Sequence, residues 1–500
     1  MSLVEILLPI LAGCALFVVS RSDRTISRVT GCVVAAITFF LPLVAGTDGT
    51  FDARWLSRPF TASLHWSWGG LAFWIVLLLA LCTFCAILAT NMAQTRTMVA
   101  LLLMLEGTMM GVFMARDILA FALFWDLMLI PPFFALVGWG EHRETAWRYL
   151  MYNFSGGLLL LLATAAFGIL YGSTDVIGTT HQLVGDWAPW IFAGFAIAFA
   201  VKTPLFPLHT WMPATYADTP PAMVSLVSSL QSKAGLFGFL VIGLPFFADA
   251  MGAWKWIFIV ASLLSLLYGA YIALVQTDMK RIVAYSSLSH LGLIVLAIFS
   301  QNPIAIQGAF IYIVAHSLFS AALFLILGYI EDRESTRSLA RLGGLGKANP
   351  KLAGAFTIAA LAALGLPGLA GFVGELVILT GVFKNGYFWP ALIALIPIVL
   401  ASAYMLRLLQ DVINGPVRED LPERRDLTWV EGLAVAPLLA ALVILGVYPH
   451  AVLSSAANVA PSGRAQVSSM FMRHEFLGAP SLAMGGAESR TKRLSNGVAR

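Results

Sequence analysis

The stretch that decides the fold is residues 188–211, APWIFAGFAIAFAVKTPLFPLHTW. It begins as an apolar helix with no charged residue before Lys202, and Pro204 and Pro207 then interrupt it. A helix that crosses a bilayer needs about 20 predominantly apolar residues. Because lipid cannot hydrogen-bond the backbone groups that a proline leaves free, such a break must face protein or water. The stretch therefore predicts a membrane span that lines a polar path.

The composition of the whole chain also indicates a membrane protein. Of its 500 residues, 59% are hydrophobic and 11% are charged, whereas soluble domains carry about 25% charged residues. The net charge of +4 comes without a run of basic residues, which argues against nucleic-acid binding. The N-terminal MSLVEILLPILAGCALFVVS lacks the basic start and the cleavage site of a signal peptide, so we expect a helix there.

Apolar windows of about 20 residues divide the chain into fourteen predicted spans, so we predict an all-α polytopic membrane protein. The segment after about residue 451 is rich in Ser, Ala and Gly, and we expect an exposed, partly disordered tail. The predicted spans lie near 2–20, 28–46, 70–90, 97–115, 118–139, 146–171, 188–208, 219–247, 254–275, 282–300, 304–328, 352–381, 388–411 and 430–450.

The basic residues of the loops alternate between the two sides. Loops after odd-numbered predicted spans hold 17 Lys and Arg, and loops after even-numbered spans hold five. Because basic loops stay in the cytoplasm, both termini are expected on the outer side of the cell inner membrane.

A second interruption lies in the twelfth predicted span, where LGLPGLAGFVGE at 364–375 contains four glycines and Pro367. Broken helices at corresponding places in two halves are typical of transporters built from inverted repeats. We therefore expect two five-helix repeats, formed by spans four to eight and nine to thirteen.

Ionisable residues inside the predicted spans are the candidates for function. A charge at bilayer depth costs a few kcal/mol even on lenient scales, so such residues are paired, hydrated or used in transport. We interpret them as a proton-translocation path. The candidates are Glu106, Asp126, Lys202, Lys233, His290, His316 and Glu375.

Asp126 and Lys202 could form an ion pair that modulates the proton affinity of Lys202. Asp126 lies about eight residues into its span, close to mid-depth in a hydrocarbon core about 30 Å thick. Burial disfavours a charged lysine and a nearby carboxylate favours it, so Lys202 would exchange a proton as Asp126 approaches or withdraws. The alternative is a static structural pair.

The other candidates also have two interpretations. Lys233 follows a run of small polar residues, which could hold a water chain or pack closely against another helix. His290 and His316 could relay protons, since imidazole both donates and accepts near neutral pH, or each could be an interior hydrogen-bonded histidine. Glu106 could be an auxiliary proton site or a helix-packing hydrogen bond.

Two sequence patterns resemble cofactor-binding motifs but lack residues that such motifs need. Cys82 and Cys85 form a CxxC, but no second cysteine pair or partner histidine accompanies them, so we interpret them as small apolar residues of a helix. The segment GGLGK at 343–347 lacks the first glycine and the Ser or Thr of a phosphate loop. We expect no cofactor, metal or redox chemistry in this chain.

Five motifs together resemble the antiporter-like membrane subunits of respiratory complex I, over about residues 95 to 410. The motifs are FALFWDLMLIPPFF, FAVKTPLFPLHTWMPATYADTPP, QTDMKRIVAYSSLSHLGLIVLAI, GAFIYIVAHSLFSAALFLILGYI and GLPGLAGFVGELVIL. The resemblance implies a fourteen-helix subunit with two inverted repeats. It implies N-terminal helices at 1–96, a proton-translocating core at 97–411, a last span at 412–450 and a tail at 451–500.

The resemblance also implies roles for individual residues. The acidic residue of the fifth helix corresponds to Asp126, the lysines of the seventh and eighth helices to Lys202 and Lys233, the central histidines to His290 and His316, and the twelfth-helix glutamate to Glu375. That glutamate favours the subunit M branch, called chain 4 in mitochondria. Two departures stand out: the family has glutamate at position 126 and usually histidine at Tyr216.

The family further implies that the partners are the other membrane-arm subunits, the lipid bilayer and protons. Quinone, FMN and iron–sulfur clusters are then expected in partner subunits. Three other functions stay open from the sequence. The chain could belong to a cation/proton antiporter or a membrane-bound hydrogenase, act as a stand-alone ion transporter, or serve as a non-pumping scaffold.

Overall fold

A computed structural model describes residues 2–18, 24–45, 50–90, 95–175, 185–415 and 425–457. The N-terminal elements are α1 Ser2–Val18, α2 Arg24–Ala45, β1 Phe51–Leu56, β2 Ala62–Trp66, α3 Leu71–Leu88, α4 Thr95–Phe113, α5 Ile118–Leu127, α6 Ile130–Trp139, α7 Arg143–Tyr171 and α8 Ala188–Lys202. They are followed by α9 Met212–Asp218, α10 Pro221–Leu226, α11 Lys233–Gly238, α12 Leu244–Val275, α13 Met279–Ser300 and α14 Pro303–Glu334. The C-terminal helices are α15 Leu345–Ala348, α16 Pro350–Ala363, α17 Ala370–Lys384, α18 Phe388–Ile413, α19 Trp429–Val447 and α20 His450–Ala457.

The protein is a polytopic α-helical membrane protein, as predicted. Ten helices in the described ranges are long and apolar enough to cross a bilayer, and three shorter apolar helices accompany them. Large apolar side chains remain exposed on the outer helices, including Leu162 and Val399, at 68% and 70% exposure. Water would not tolerate so many of them, whereas lipid solvates them. Exposed tryptophans near helix starts, such as Trp190 and Trp389, match the aromatic belts of membrane interfaces.

The fourteen-span count stays a prediction. It requires that the continuous helical run Pro221–Val275 crosses the membrane twice, because 55 residues of helix would extend about 80 Å. The backbone leaves helical geometry at Phe247, near the predicted boundary between two spans. The count also requires that α16 and α17 share one crossing. The two inverted repeats likewise stay a prediction.

The two broken spans lie where the prolines and glycines predicted them. Helix α8 ends at Lys202, and the chain from 203 to 211 is non-helical before α9 begins. Helices α16 and α17 are separated at 364–369, where Gly365 and Gly368 have φ values of +77° and +95° that only glycine adopts readily.

The sequence analysis missed three local features. The predicted fifth span is divided by the turn Met128–Leu129, which Pro131 and Pro132 follow, into α5 and α6. An antiparallel hairpin, β1 and β2, lies between α2 and α3. The start of the expected tail forms α20, where Ser455 accepts a 2.8 Å hydrogen bond from the Trp74 indole. The predicted tail beyond residue 457 lies outside the described residues.

Helices α13 and α14 form the centre of the protein. Nearly every residue of both helices within the apolar region is buried by neighbouring helices. A helix that is apolar on all faces belongs in such an enclosed position. His290 of α13 and His316 of α14 therefore lie deep inside the helical bundle, away from lipid.

Candidate proton path

Asp126 lies in the last turn of α5, directly before the unpredicted turn. Its carboxylate rests against the backbone of α7 at Gly157, where an added Cβ would lie 1.8 Å from Oδ1. Glycine at position 157 therefore makes room for the acid. Oδ1 has no hydrogen-bond partner within the described chain, although buried polar atoms are normally paired.

Lys202 is the last residue of α8, at the mouth of the proline break. Its side chain is 1% exposed, and Nζ has no hydrogen-bond partner in the described residues. Nζ lies 4.9 Å from the ring centroid of Trp125, within the range of a cation–π contact. Trp125 directly precedes Asp126, so the aromatic ring lies beside the acid in the chain.

Asp126 and Lys202 interact electrostatically but are not in contact. Among the described residues, no Lys202 nitrogen lies within 4.0 Å of the Asp126 carboxylate, and each still affects the charge of the other. The structure therefore separates the two charged groups by more than a direct ion-pair contact.

Lys233 begins α11 after the π-helical segment Val227–Gln231. Its Nζ donates hydrogen bonds to the Ser228 carbonyl at 2.5 Å and the Ser232 hydroxyl at 3.2 Å. Single π turns inside helices are often found at functional sites. Here the π segment presents backbone and serine oxygens to a fully buried lysine.

Two glycines let α11 approach the break in α8. An added Cβ at Gly235 would lie 2.2 Å from the Thr203 hydroxyl and 2.4 Å from the Phe199 carbonyl. At Gly238 it would lie 2.5 Å from the Phe199 ring. The helix that carries Lys233 thus packs against the end of the helix that carries Lys202.

The two central histidines face each other across α13 and α14. Their ring centroids are 5.6 Å apart at an angle of 82°. None of the four ring nitrogens has a hydrogen-bond partner in the described residues. Lys233 is close enough to influence the charge of both rings. The structure therefore brings together the lysine and the histidine pair that the sequence predicted.

Glu375 is linked to the histidines through Tyr312, which the sequence analysis missed. The Tyr312 hydroxyl donates a 2.6 Å hydrogen bond to Glu375 Oε1, and the His290 ring lies 5.9 Å from the Tyr312 ring. Tyr312 stands four residues before His316, a spacing that places both on one helix face and could have identified it. Gly365 completes the site, because an added Cβ there would lie 2.3 Å from Glu375 Oε2.

Glu106 lies apart from this row, and a second missed residue accompanies it. Thr38 donates a 2.7 Å hydrogen bond to Glu106 Oε1. Glu5 of α1 is fully buried and close enough for the two carboxylates to affect each other's charge. Neither oxygen of Glu5 has a hydrogen-bond partner in the described residues. The acid was visible in the first predicted span but was not singled out.

Comparisons with known proteins identify relatives of this chain. Residues 115–401 match the family model described as NADH:quinone oxidoreductase/Mrp antiporter, TM. NADH-quinone oxidoreductase subunit M of Mycobacterium tuberculosis is 37% identical over 71% of this chain and 67% of its own length. The Rhodobacter capsulatus subunit M is 34% identical over 89% of this chain and 92% of its own. The chain belongs to this family.

Two solved structures show the same fold. A chain of respiratory complex I from Thermus thermophilus with bound NADH superposes with a TM-score of 0.85 at 29% identity, covering 94% of this chain and all of that chain. A chain of the Mrp complex from Dietzia has a TM-score of 0.84 at 19% identity, covering 94% and 98%. The second likeness concerns the fold alone.

In this family member, the helix ends that bear the basic loops enclose a polar cavity of about 200 Å³. Lys280 and Glu331 line it and form a 2.5 Å ion pair. Arg337 binds Glu141 at 2.8 Å and lies 3.3 Å from Asp278. Burial lowers the pKa of Arg337, but these carboxylates outweigh it and raise that pKa overall. The loops at this end are therefore tied together by charge.

Proposed function

We propose that this chain is a proton-translocating membrane-arm subunit of an NADH-quinone oxidoreductase, of the subunit M type. The observation that carries the proposal is the buried row of ionisable and hydroxyl groups through the enclosed helices α13 and α14. It runs from Lys233 past His316 and His290 to the Tyr312–Glu375 pair. Residues of this kind inside a membrane protein mark ion and proton pathways.

The row supports a stepwise proton movement. Asp126 approaches or withdraws from Lys202 and so changes the proton affinity of that lysine. Lys202 exchanges with Lys233, since α11 packs on the break beside Lys202. The histidine pair carries the proton onward to Glu375. Lys202 Nζ, Asp126 Oδ1 and the imidazole nitrogens lack protein partners in the described chain, and we assign water to bridge them.

The rest of the architecture follows from the same proposal. Fourteen spans cross the cell inner membrane with both termini on the outer side, and the charged cavity around Lys280 faces the cytoplasm. The proton-translocating core is 97–411, in two inverted five-helix repeats. Redox groups belong to partner subunits, and Glu106 with Glu5 forms an auxiliary proton site apart from the main row.

The test is proton pumping by the intact complex in proteoliposomes. In Lys202→Met and Asp126→Ala, NADH-driven proton uptake and NADH oxidation should fall together, because the two are coupled. Lys255→Met is the matched control, since Lys255 of α12 is partly exposed and its Nζ lies 4.6 Å from the Tyr387 ring centroid, outside the row. Wild-type pumping by both variants in an assembled complex would remove the assigned roles.

Co-purification in mild detergent separates this function from an antiporter. The proposal expects NADH-, quinone- and iron–sulfur-binding subunits to accompany the chain. Recovery with cation/proton antiporter subunits alone, without a redox module, would replace it with the antiporter function.

A further inference from the structure

A cluster of metal-binding side chains lies outside the apolar helices, where the β1–β2 hairpin meets the segment after α7. Asp52, His65 and Asp175 each bring one ligand atom to within 4.8 Å of the others. The proton path uses none of them. Their chemistry and placement therefore require a separate explanation.

Two features of the backbone show that the fold builds the cluster. Asp52 and His65 are direct cross-strand partners in the hairpin, so their side chains project from the same face. The segment at Asp175 is held to the hairpin by hydrogen bonds from Thr61 N to the Gly172 carbonyl and from Thr174 N to the Thr61 carbonyl, both 3.0 Å. The ligand atoms are thus positioned by backbone contacts.

His65 provides independent evidence that the cluster binds an ion. The residue is only 8% exposed, and its Nδ1 has no hydrogen-bond partner among the described residues. Nδ1 faces Asp175 Oδ1 at 3.4 Å, beyond the usual range of an N–H···O hydrogen bond. The same separation fits two ligands of a tetrahedral zinc ion, because bonds of about 2.1 Å place neighbouring ligands about 3.4 Å apart.

We propose that Asp52, His65 and Asp175 bind a zinc ion that ties the hairpin to the segment after α7. An imidazole nitrogen with two carboxylates suits zinc, whereas calcium and magnesium prefer sites made of oxygen alone. Asp52 is exposed at the rim, so the ion enters from solvent. Arg54 stands two residues along the same strand and forms no ion pair with Asp52 within 4.0 Å in the described structure.

A second trio, Glu141, His142 and Asp218, has similar spacing but is already occupied by protein contacts. Asp218 Oδ2 accepts hydrogen bonds from Thr145 at 2.7 Å and from the His142 ring at 3.0 Å. Glu141 is paired with Arg337 at 2.8 Å, and a fixed guanidinium would repel a metal ion. This trio therefore serves as an internal comparison.

The test measures ⁶⁵Zn²⁺ binding by equilibrium dialysis to the intact, chelator-treated complex in nanodiscs. Asp52→Asn and His65→Ala should each weaken binding at one site at least tenfold, while His450→Ala, an exposed histidine outside the cluster, should leave it unchanged. Asp52→Asn changes only an exposed side chain, so it remains informative if His65→Ala fails to assemble.

Unchanged zinc stoichiometry and affinity in Asp52→Asn would overturn the proposal and leave a plain histidine–aspartate contact. Loss of zinc in His142→Ala, with retention in Asp52→Asn, would overturn it in favour of the other trio. Because the readout is bound metal, either outcome is independent of whether the chain pumps protons.

Discussion

Replacing Tyr312 with phenylalanine isolates the hydrogen bond that holds Glu375. The change removes one hydroxyl from a fully buried ring and leaves Glu375 Oε1 without its 2.6 Å donor. A hydrogen bond to a charged group contributes about 1.5–3 kcal/mol. The equilibrium ratio of ionised to neutral Glu375 would then fall by about 10 to 150 times, which lowers the ionised population.

If proton transfer passes through ionised Glu375, pumping must slow with that population. We expect NADH-driven proton uptake in proteoliposomes and NADH oxidation to fall together, by at least several-fold, in an assembled complex. The matched control is Tyr404→Phe, since the Tyr404 hydroxyl is equally buried and bonds Ser286 at 2.9 Å rather than Glu375.

Two results would refute this reasoning. Wild-type pumping in Tyr312→Phe, with normal assembly on native gels, would show that Glu375 transfers no proton through its ionised form. An equal loss in Tyr404→Phe would show that the effect arises from helix packing, because that hydroxyl makes only a neutral hydrogen bond worth about 1 kcal/mol.

Three further outcomes follow from the geometry. Gly157→Ala should displace the Asp126 carboxylate, because the new Cβ would lie 1.8 Å from Oδ1, and should reduce pumping, whereas Gly138→Ala meets open space and should not. Arg337→Ala should lower the melting temperature of the assembled complex by a few degrees, since it removes three partly buried ion pairs, with Glu141, Asp278 and Glu331. Burial raises the pKa of Asp426, but three backbone N–H donors outweigh it and hold that pKa below its usual value. Ionised Asp426 therefore stabilises the folded protein at pH values above the pKa of the unfolded state, and this stabilisation is lost as the pH falls through the lower folded-state pKa. Asp426→Asn should therefore flatten the fall of the melting temperature at acid pH.

The spans were predictable because they depend on composition alone. A helix that crosses lipid needs about 20 apolar residues. The breaks at Pro204 and Gly365 depend on proline and glycine, which can be recognised in the sequence. The turn after Asp126 was missed because Pro131 and Pro132 suit the first turn of a new helix as well as a kink. The hairpin was missed although FDARW at 51–55 alternates apolar and polar residues, which is the pattern of a half-buried strand.

The site was predictable residue by residue, but its contacts were not. A charge in an apolar helix is visible at once, so Lys233 and Glu375 could be named. Tyr312 is an ordinary aromatic in sequence, and only its 2.6 Å bond to Glu375 assigns it to the row. The distance between Asp126 and Lys202 depends on how α5, α7 and α8 pack together. Local sequence patterns do not predict that packing.

The two halves of the proposed path differ in how the fold specifies them. From Lys233 to Glu375, α14 carries most of the links: its Ser320 donates a hydrogen bond to Ser228, its Tyr312 donates one to Glu375, and its His316 faces His290 of α13. His316 lies midway, four residues from each, so a single face about 12 Å long sets the geometry. The first step instead joins Asp126 and Lys202 from separate helices that end in breaks. A rigid face fixes its contacts, whereas two helix ends can separate, and the control of proton entry therefore belongs at the first step.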